Sequence, residues 1–333
     1  MFQTSMNAAL QAHGSPFLTF VLRAVTVTGY EQFFVALVLI VMFGINFRKG
    51  AILFQLIIWT AVATELCKEI ANLPRPFWVS PEVQDLEVGT ASGPGFDVMK
   101  GQGFLQTLPP EVVAAFRAQG GSPGFPSGHV ASAAACWGGL GLLFDNRALR
   151  WATPFIVAVM AFSRMYLGRH FLADVLGGAL VGSAALIIAY TVFRRLNFDK
   201  KMFDPENLIH AWRLPNLLFY SLQFLMPVIL VLVTLLPPQL GGYMVGANFA
   251  LLLSSLRGLP EGGGGALRRT ARVCLAGLCF VLVALALSMS TQALGPAGGG
   301  PTASFLGGLL CSFAAIWGGL TLSRELGLYG KTA

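Results

Sequence analysis

Apolar residues in this chain come in long blocks, separated by short polar breaks. Blocks of this length are read as membrane-crossing helices, at roughly 31–47, 51–72, 129–145, 150–167, 172–193, 216–236, 241–257, 271–290 and 303–323. Each is near the ~20 residues that cross about 30 Å of hydrocarbon. Residues 8–30 mix Gly14, Pro16 and Arg23 with apolar positions and read as an amphipathic segment lying in the interface. Two polar stretches interrupt the blocks. Residues 77–126 are rich in Gly, Pro and acids, with a short helix expected over Pro110 to Ala118, and residues 194–215 form a charged linker. No repeat of fixed period is present. The pattern predicts an all-α, polytopic transmembrane bundle of about nine spans. Its expected parts are an interfacial segment 1–30, a helical core 31–193 with the loop 77–126, the linker 194–215 and a four-helix extension 216–333.

Composition sharpens this picture. Of the 333 residues, 55% are apolar and only 11% charged, and mean hydropathy is +0.68. Soluble domains carry about 25% charge, so a soluble globular protein is excluded. The 39 glycines suit helices that pack closely within a membrane. Cys67, Cys136, Cys274, Cys279 and Cys311 lie inside apolar runs at irregular spacing, so neither a disulfide framework nor a zinc site is read. The first 30 residues lack a basic start followed by an apolar block, so no cleavable signal peptide is expected.

The net charge of +7 suggests nucleic acid until the cations are placed. Alternate loops hold Arg48, Lys49, Arg147, Arg150, Arg194, Arg195, Lys200, Lys201, Arg213, Arg257, Arg268, Arg269, Arg272, Arg324 and Lys331. The opposite side holds Arg23, Lys68, Arg75, Lys100, Arg117, Arg164 and Arg169. The richer side is expected to be cytoplasmic, which puts the N-terminus outside and the C-terminus inside. The outer side nevertheless carries Lys68, Arg75, Arg164 and Arg169 at helix ends, beside two histidines and an aspartate.

Three short segments supply that cluster. Lys68 and Arg75 stand seven apart, so a continued helix would put them on one face, with Pro74 and Pro76 ending it. Gly124-Phe-Pro126-Ser127-Gly128-His129 opens a small-residue helix, whose free N–H groups suit an anion. Ser163-Arg164 and Arg169-His170 precede Asp174, and His170 and Asp174 at i and i+4 are neighbours on a helix. Each segment alone has a plainer reading: snorkelling cations, a capped helix with an interfacial histidine, an interfacial ion pair. Together they offer fixed cations, N–H groups, two imidazoles and one carboxylate. Cations and N–H groups suit a phosphoryl group, and two imidazoles suit a nucleophile and a general acid. Zinc held by His129, His170 and Asp174 is the competing use of the same residues, opposed by the surrounding cations.

Lys68-x6-Arg75-Pro76, Pro126-Ser127-Gly128-His129 and Ser163-Arg164-x5-His170-x3-Asp174 resemble the three-part signature of the type 2 phosphatidic acid phosphatase superfamily, over residues 68–174. Arg75-Pro-Phe-Trp78 and the topology also resemble the glucose-6-phosphatase and sphingosine-phosphate phosphatase branch, although glucose-6-phosphatases lack an acid at the Asp174 position. The resemblance implies His170 as nucleophile, Asp174 as its orienting group, and His129 as general acid and then base. It implies Lys68, Arg75, Ser127, Gly128 and Arg164 as the phosphate-binding set, with no cofactor and no metal. Arg169 occupies a variable position and is left unassigned, and Glu65 is a candidate to pair with a motif cation. His13 and His210 have no neighbours in sequence to act with. Trp78, Phe96, Phe104 and Phe125 read as interface anchors. The expected activity is hydrolysis of a lipid phosphate or an isoprenyl or other lipid diphosphate on the extracytoplasmic face, by an integral membrane protein. The alternatives are a soluble sugar phosphate as substrate, a phosphotransferase using the same residues, and a transporter. Expected partners are the lipid substrate and membrane lipids, without nucleic acid; the C-terminal helices are the place for a homodimer.

Overall fold

The computed structural model describes residues 1–89, 107–195, 203, 204, 206, 207, 210–260, 262–294 and 299–329. Phe96, Lys100, Phe104, Lys200, Lys201 and Lys331 lie outside them. Among the described residues the regular structure is helical, with no strand. In chain order the helices are α1 (Thr4–Ala12), α2 (Pro16–Val27), α3 (Glu31–Leu39, continued by a wide turn Ile40–Ile45), α4 (Phe47–Ala71), α5 (Pro76–Val79) and α6 (Pro110–Gln119). There follow α7 (Gly128–Leu143), α8 (Arg147–Tyr166), α9 (Leu172–Arg195), α10 (Leu214–Leu232), α11 (Pro238–Leu256), α12 (Ala266–Leu294) and α13 (Pro301–Glu325).

Five helical stretches are long and apolar enough to cross a membrane: Phe47–Val79, Leu172–Val192, Leu214–Leu232, Ala266–Ala293 and Pro301–Glu325. A sixth is available if α2 and Glu31–Ile45, bent by 52°, count as one broken span. The protein is an integral membrane protein. Helices α7, α8 and α11 also form where spans are expected, but they are shorter or less apolar. Residues 1–30 contain two distinct helices, and the short helix in the polar loop is α6. All five cysteines are free thiols.

The chain divides into two compact units, Met1–Phe34 with Trp59–Ile188, and Val35–Ile58 with Ala189–Ala333. In the first unit α8 is the centre, packed by α1, α2 and α7. Helices α7 and α9 approach through missing side chains. A Cβ on Gly178 would strike the Ser127 carbonyl, one on Gly182 the Ala131 carbonyl, and one on Gly177 would come within 2.5 Å of the Phe125 ring. Close backbone approach is how helices associate where lipid supplies no hydrophobic drive. Trp78 and Phe125 are used inside this unit. Trp78 meets Phe116 edge-on at 5.1 Å, in a small core of Val79, Leu108, Val112 and Phe171.

In the second unit α11 packs closely on α13, with Gly242, Gly246 and Gly308 at the crossing, where a Cβ on any of them would meet facing backbone. A buried amide chain crosses this unit. Gln55 Nε2 donates to Asn248 Oδ1 at 2.5 Å, and Asn248 Nδ2 donates to the Gln223 carbonyl at 2.9 Å and to its Oε1 at 3.0 Å. Asn248→Ala deletes both sides of this relay. It is expected to lower the stability of the folded protein by about 1 kcal/mol, read as a shifted midpoint in denaturant unfolding from detergent micelles.

Candidate active site

The three sequence segments meet at one end of the helices of the first unit: the last turn of α4, the start of α7, the end of α8 and the start of α9. They surround a cavity of about 340 Å³ lined by Tyr30, Lys68, Arg75, Glu87, Val88, Gly128, His129, Arg164, Arg169 and His170. Ser127 and Asp174 are fully buried beside it. Lys68 closes α4 and pairs with Glu65 at 2.6 Å. Arg75 does not reach the site along one helical face. Leu73 precedes Pro74, which disfavours helix there; α4 stops at Ala71, Asn72 takes φ 42°, and Arg75 returns as the residue before α5. Its Nε donates to the Ser122 carbonyl at 3.0 Å. Nη2 reaches Ser122 Oγ and the Pro123 carbonyl, both at 3.0 Å, and Nη1 reaches the Arg169 carbonyl at 3.2 Å. One guanidinium thus ties the Gly124 turn to the His170 loop.

His170 is 2% exposed. Its Nε2 faces Arg75 Nη1 at 3.5 Å and its Nδ1 faces Asp174 Oδ2 at 3.4 Å. A guanidinium only donates, so Nε2 is the acceptor and the ring proton belongs on Nδ1, toward the carboxylate. The same Asp174 oxygen accepts the Phe171 N–H at 2.9 Å, which fixes the carboxylate against the first turn of α9. Burial, and then Arg75 and Arg164, hold the His170 imidazole neutral by lowering its pKa well below the usual 6.5. The arrangement is a neutral imidazole with its Nε2 lone pair on the cavity side.

Ser127 stands just before α7, and its N–H donates to the Asp174 carbonyl at 2.9 Å. Ser127 Oγ, His129 Nε2 and Asp174 Oδ1 are buried with no hydrogen-bond partner among the described residues. Unpaired buried polar atoms are costly and concentrate where a ligand is awaited. His129 is held by shape: its ring meets Tyr30 edge-on at 5.2 Å, and a Cβ on Gly29 would collide with it.

Arg164 is 2% exposed and is already paired. Its Nη1 and Nη2 grip the two oxygens of Glu87 at 2.9 and 3.1 Å, a bidentate pair, and Nη1 also reaches Thr26 Oγ1 at 3.2 Å. The Tyr30 hydroxyl donates to Glu87 as well. Arg169, left unassigned from sequence, lines the cavity and pairs with Asp85 at 2.5 Å and with Glu87 at 2.8 Å. Burial alone would push the Glu87 carboxyl up, but the hydrogen bonds and charge of Arg164, with Tyr30 and Arg169, hold it at about 2. The sequence reading assigned no role to Glu87, Asp85 or Tyr30. The acids Glu82, Asp85 and Glu87, spaced along one loop opposite an excess of cations, were the available signal.

The N-terminal helices brace the site. Asn7, fully buried, donates to the Met165 carbonyl at 2.8 Å and to the His170 carbonyl at 3.0 Å. Gln11 links Gln84 to the Tyr166 carbonyl, and Thr26 Oγ1 meets Ser163 Oγ at 2.8 Å. His13 bonds within α1, and His210 belongs to the other unit; neither lines the cavity. Among the described residues no three His, Cys, Asp or Glu gather as the ligands of a metal ion would.

Residues 49–198, which carry every signature position, match the PAP2 superfamily. This segment of the chain belongs to that superfamily. Two curated relatives align with stretches of the chain. One is Lipid A 4'-phosphatase of Porphyromonas gingivalis, 33% identical over 76 residues, covering 23% of this chain and 31% of that protein. The other is Undecaprenyl-diphosphatase BcrC of Bacillus subtilis, 37% identical over 70 residues, covering 21% and 34%. The chain thus spans about a third of the length of the curated relatives it matches. No solved structure matches. The braces from Asn7, Gln11, Thr26 and Tyr30 lie outside the PAP2 segment.

Two outcomes follow from this geometry. Asn7→Ala removes the side-chain donor to the Met165 and His170 carbonyls and is expected to cost about 1–3 kcal/mol of stability, measured by thermal unfolding beside a Gln11→Ala control of smaller effect. Glu87 titrates at about 2 against an ordinary 4.5, so its charge stabilises the folded state fully above 4.5, and that contribution is lost as pH falls toward 2. The acid-induced fall in thermal stability across that window should be visibly shallower in Glu87→Gln.

Proposed function

We propose that the protein is a metal-independent membrane phosphatase for a lipid phosphate or lipid diphosphate, working through a phosphohistidine at the extracytoplasmic face. One observation carries the reading: a single cavity holds two imidazoles, one of them set against a buried carboxylate, beside three guanidinium groups, an ammonium and the start of a helix. The matched PAP2 segment and its relatives, a lipid A 4'-phosphatase and an undecaprenyl-diphosphatase, support a lipid-linked substrate. In this reading the nine-span topology has the N-terminus outside and the C-terminus in the cytoplasm. The core 31–193 does the chemistry and 216–333 is a membrane extension after the linker 194–215.

The chemistry follows from the placement of atoms. His170 Nε2 attacks phosphorus while its Nδ1–H stays on Asp174, which stabilises the cation that forms on the ring. Lys68, Arg75, Arg164, Ser127 and the Gly128 N–H neutralise the equatorial oxygens as charge spreads onto them. The arriving phosphate dianion favours the imidazolium of His129, which gives its proton to the leaving oxygen. His129, now neutral, takes a proton from water as the water attacks the phosphohistidine, releasing phosphate and restoring both rings.

Phosphate release from purified protein, tested on an isoprenyl diphosphate, phosphatidic acid, a sphingoid phosphate and glucose 6-phosphate, decides the substrate class; turnover of glucose 6-phosphate alone would replace the lipid reading. Asp174→Asn should lower kcat by roughly 10²–10⁴ with little change in KM. His170→Ala should abolish the phosphoenzyme with every substrate. His129→Ala should still be phosphorylated by an aryl phosphate, which needs little help to leave, and should accumulate an acid-labile phosphohistidine in rapid-quench analysis. Label retained on His129 in His170→Ala would exchange the two roles.

A further inference from the structure

The Glu87 carboxylate sits where an anion would. It is the one carboxylate that lines the cavity among the described residues. Arg164 holds it with the parallel two-bond geometry that guanidinium groups use for phosphate. Arg169 and the Tyr30 hydroxyl complete its coordination. Its side chain is 8% exposed, so the pair is formed out of water. One negative charge, supplied by the loop that follows α5, is therefore already seated between two of the cations that line the cavity.

We propose that Glu87 is a specificity residue: a built-in monoanion that a ligand must displace from Arg164, so that the site accepts terminal phosphates carrying two or more charges and rejects phosphodiesters. This rests on the phosphate-binding reading of the cavity. A phosphodiester carries one negative charge. Exchanging it for Glu87 leaves the charge facing Arg164 and Arg169 unchanged, while the ion pair and the Tyr30 hydrogen bond are lost. A phosphate monoester dianion, or a diphosphate, brings at least one further charge into a cavity that also contains Lys68 and Arg75, and that surplus offsets the displacement. The discrimination matters because a cation cluster at helix ends in a bilayer is surrounded by phosphodiester headgroups at very high local concentration. Without a competing internal anion, the bulk lipid would occupy the arginines. Asp85 does not substitute for Glu87: it pairs with Arg169 but does not line the cavity.

The test compares two small probes in the purified full-length protein by calorimetry: methylphosphonate, a dianion at alkaline pH whose P–C bond is not cleaved, and dimethyl phosphate, a monoanion. The wild type should prefer methylphosphonate strongly. Glu87→Gln should bind both probes at least tenfold more tightly, so that dimethyl phosphate, too weak to displace the carboxylate in the wild type, becomes a measurable ligand. Tyr30→Phe, which removes one hydrogen bond from the carboxylate and keeps the ring against His129, should move the same way by a smaller factor. It serves also if Glu87→Gln folds poorly. In a turnover assay, added phosphatidylglycerol should inhibit Glu87→Gln and not the wild type. If both variants bind methylphosphonate more weakly, or bind dimethyl phosphate no more tightly than the wild type does, Glu87 merely positions Arg164 and the proposal is overturned. A wild type that shows the predicted binding pattern but hydrolyses none of the four substrates would remove the phosphatase reading and leave the discrimination standing. Hydrolysis with no gain in binding of either probe by the variants would do the reverse.

Discussion

The arrangement at the end of these helices is governed by repulsion. Lys68, Arg75, Arg164 and Arg169 face one cavity, and like charges brought together away from water destabilise one another severely. The protein can hold this shape only if each cation has a compensating group. Lys68 has Glu65, Arg164 has Glu87, Arg169 has Asp85 and Glu87, and Arg75 spreads its charge over three carbonyls and a hydroxyl. Asp174 is kept apart from this exchange, committed to His170 and the Phe171 amide. The acidic loop after α5 is thus a structural requirement of the basic cluster and not a surface ornament.

A second requirement is alignment. Phosphoryl transfer asks for little covalent work from a protein and a great deal of positioning. In the proposed reaction the groups come from four helices, and the gaps between them are set by contacts of low tolerance. Backbone meets backbone at Gly178 and Gly182, an arginine bridges two loops, and amides from α1 hold the carbonyls on either side of the α8–α9 turn.

What the sequence made legible was local. The His170–Asp174 spacing and the Ser127-Gly128 helix start each depend on neighbours within a turn or two, and helical geometry translates them directly. The Lys68–Arg75 spacing brought the right residues together by a wrong path, because the Pro74 effect on Leu73 breaks the helix before the second turn is complete. Glu87 and Tyr30 were not legible as a pair. They are 57 positions apart, and nothing in either local pattern reports that a loop folds back over α2 and the bend after it. Asn7 was hidden for the same reason, since a single amide in an amphipathic segment has no signature until the carbonyls it serves are placed. The division of the apolar blocks into spans is the other weak point: α7 and α8 form as helices while carrying too few residues or too many arginines to declare themselves by hydropathy.

Gly29 shows what this means for the chain as a unit of inheritance. It lies in the bend before α3, twenty positions ahead of the segment that the superfamily shares, and the absence of its side chain leaves the space that the His129 ring fills. The proposed proton donor is therefore seated by a residue the shared segment does not contain. Residues 49–198 are not a portable catalytic cassette. Grafted behind a different leading sequence, they would carry every signature residue and still lack the wall against which one of the two imidazoles is aimed.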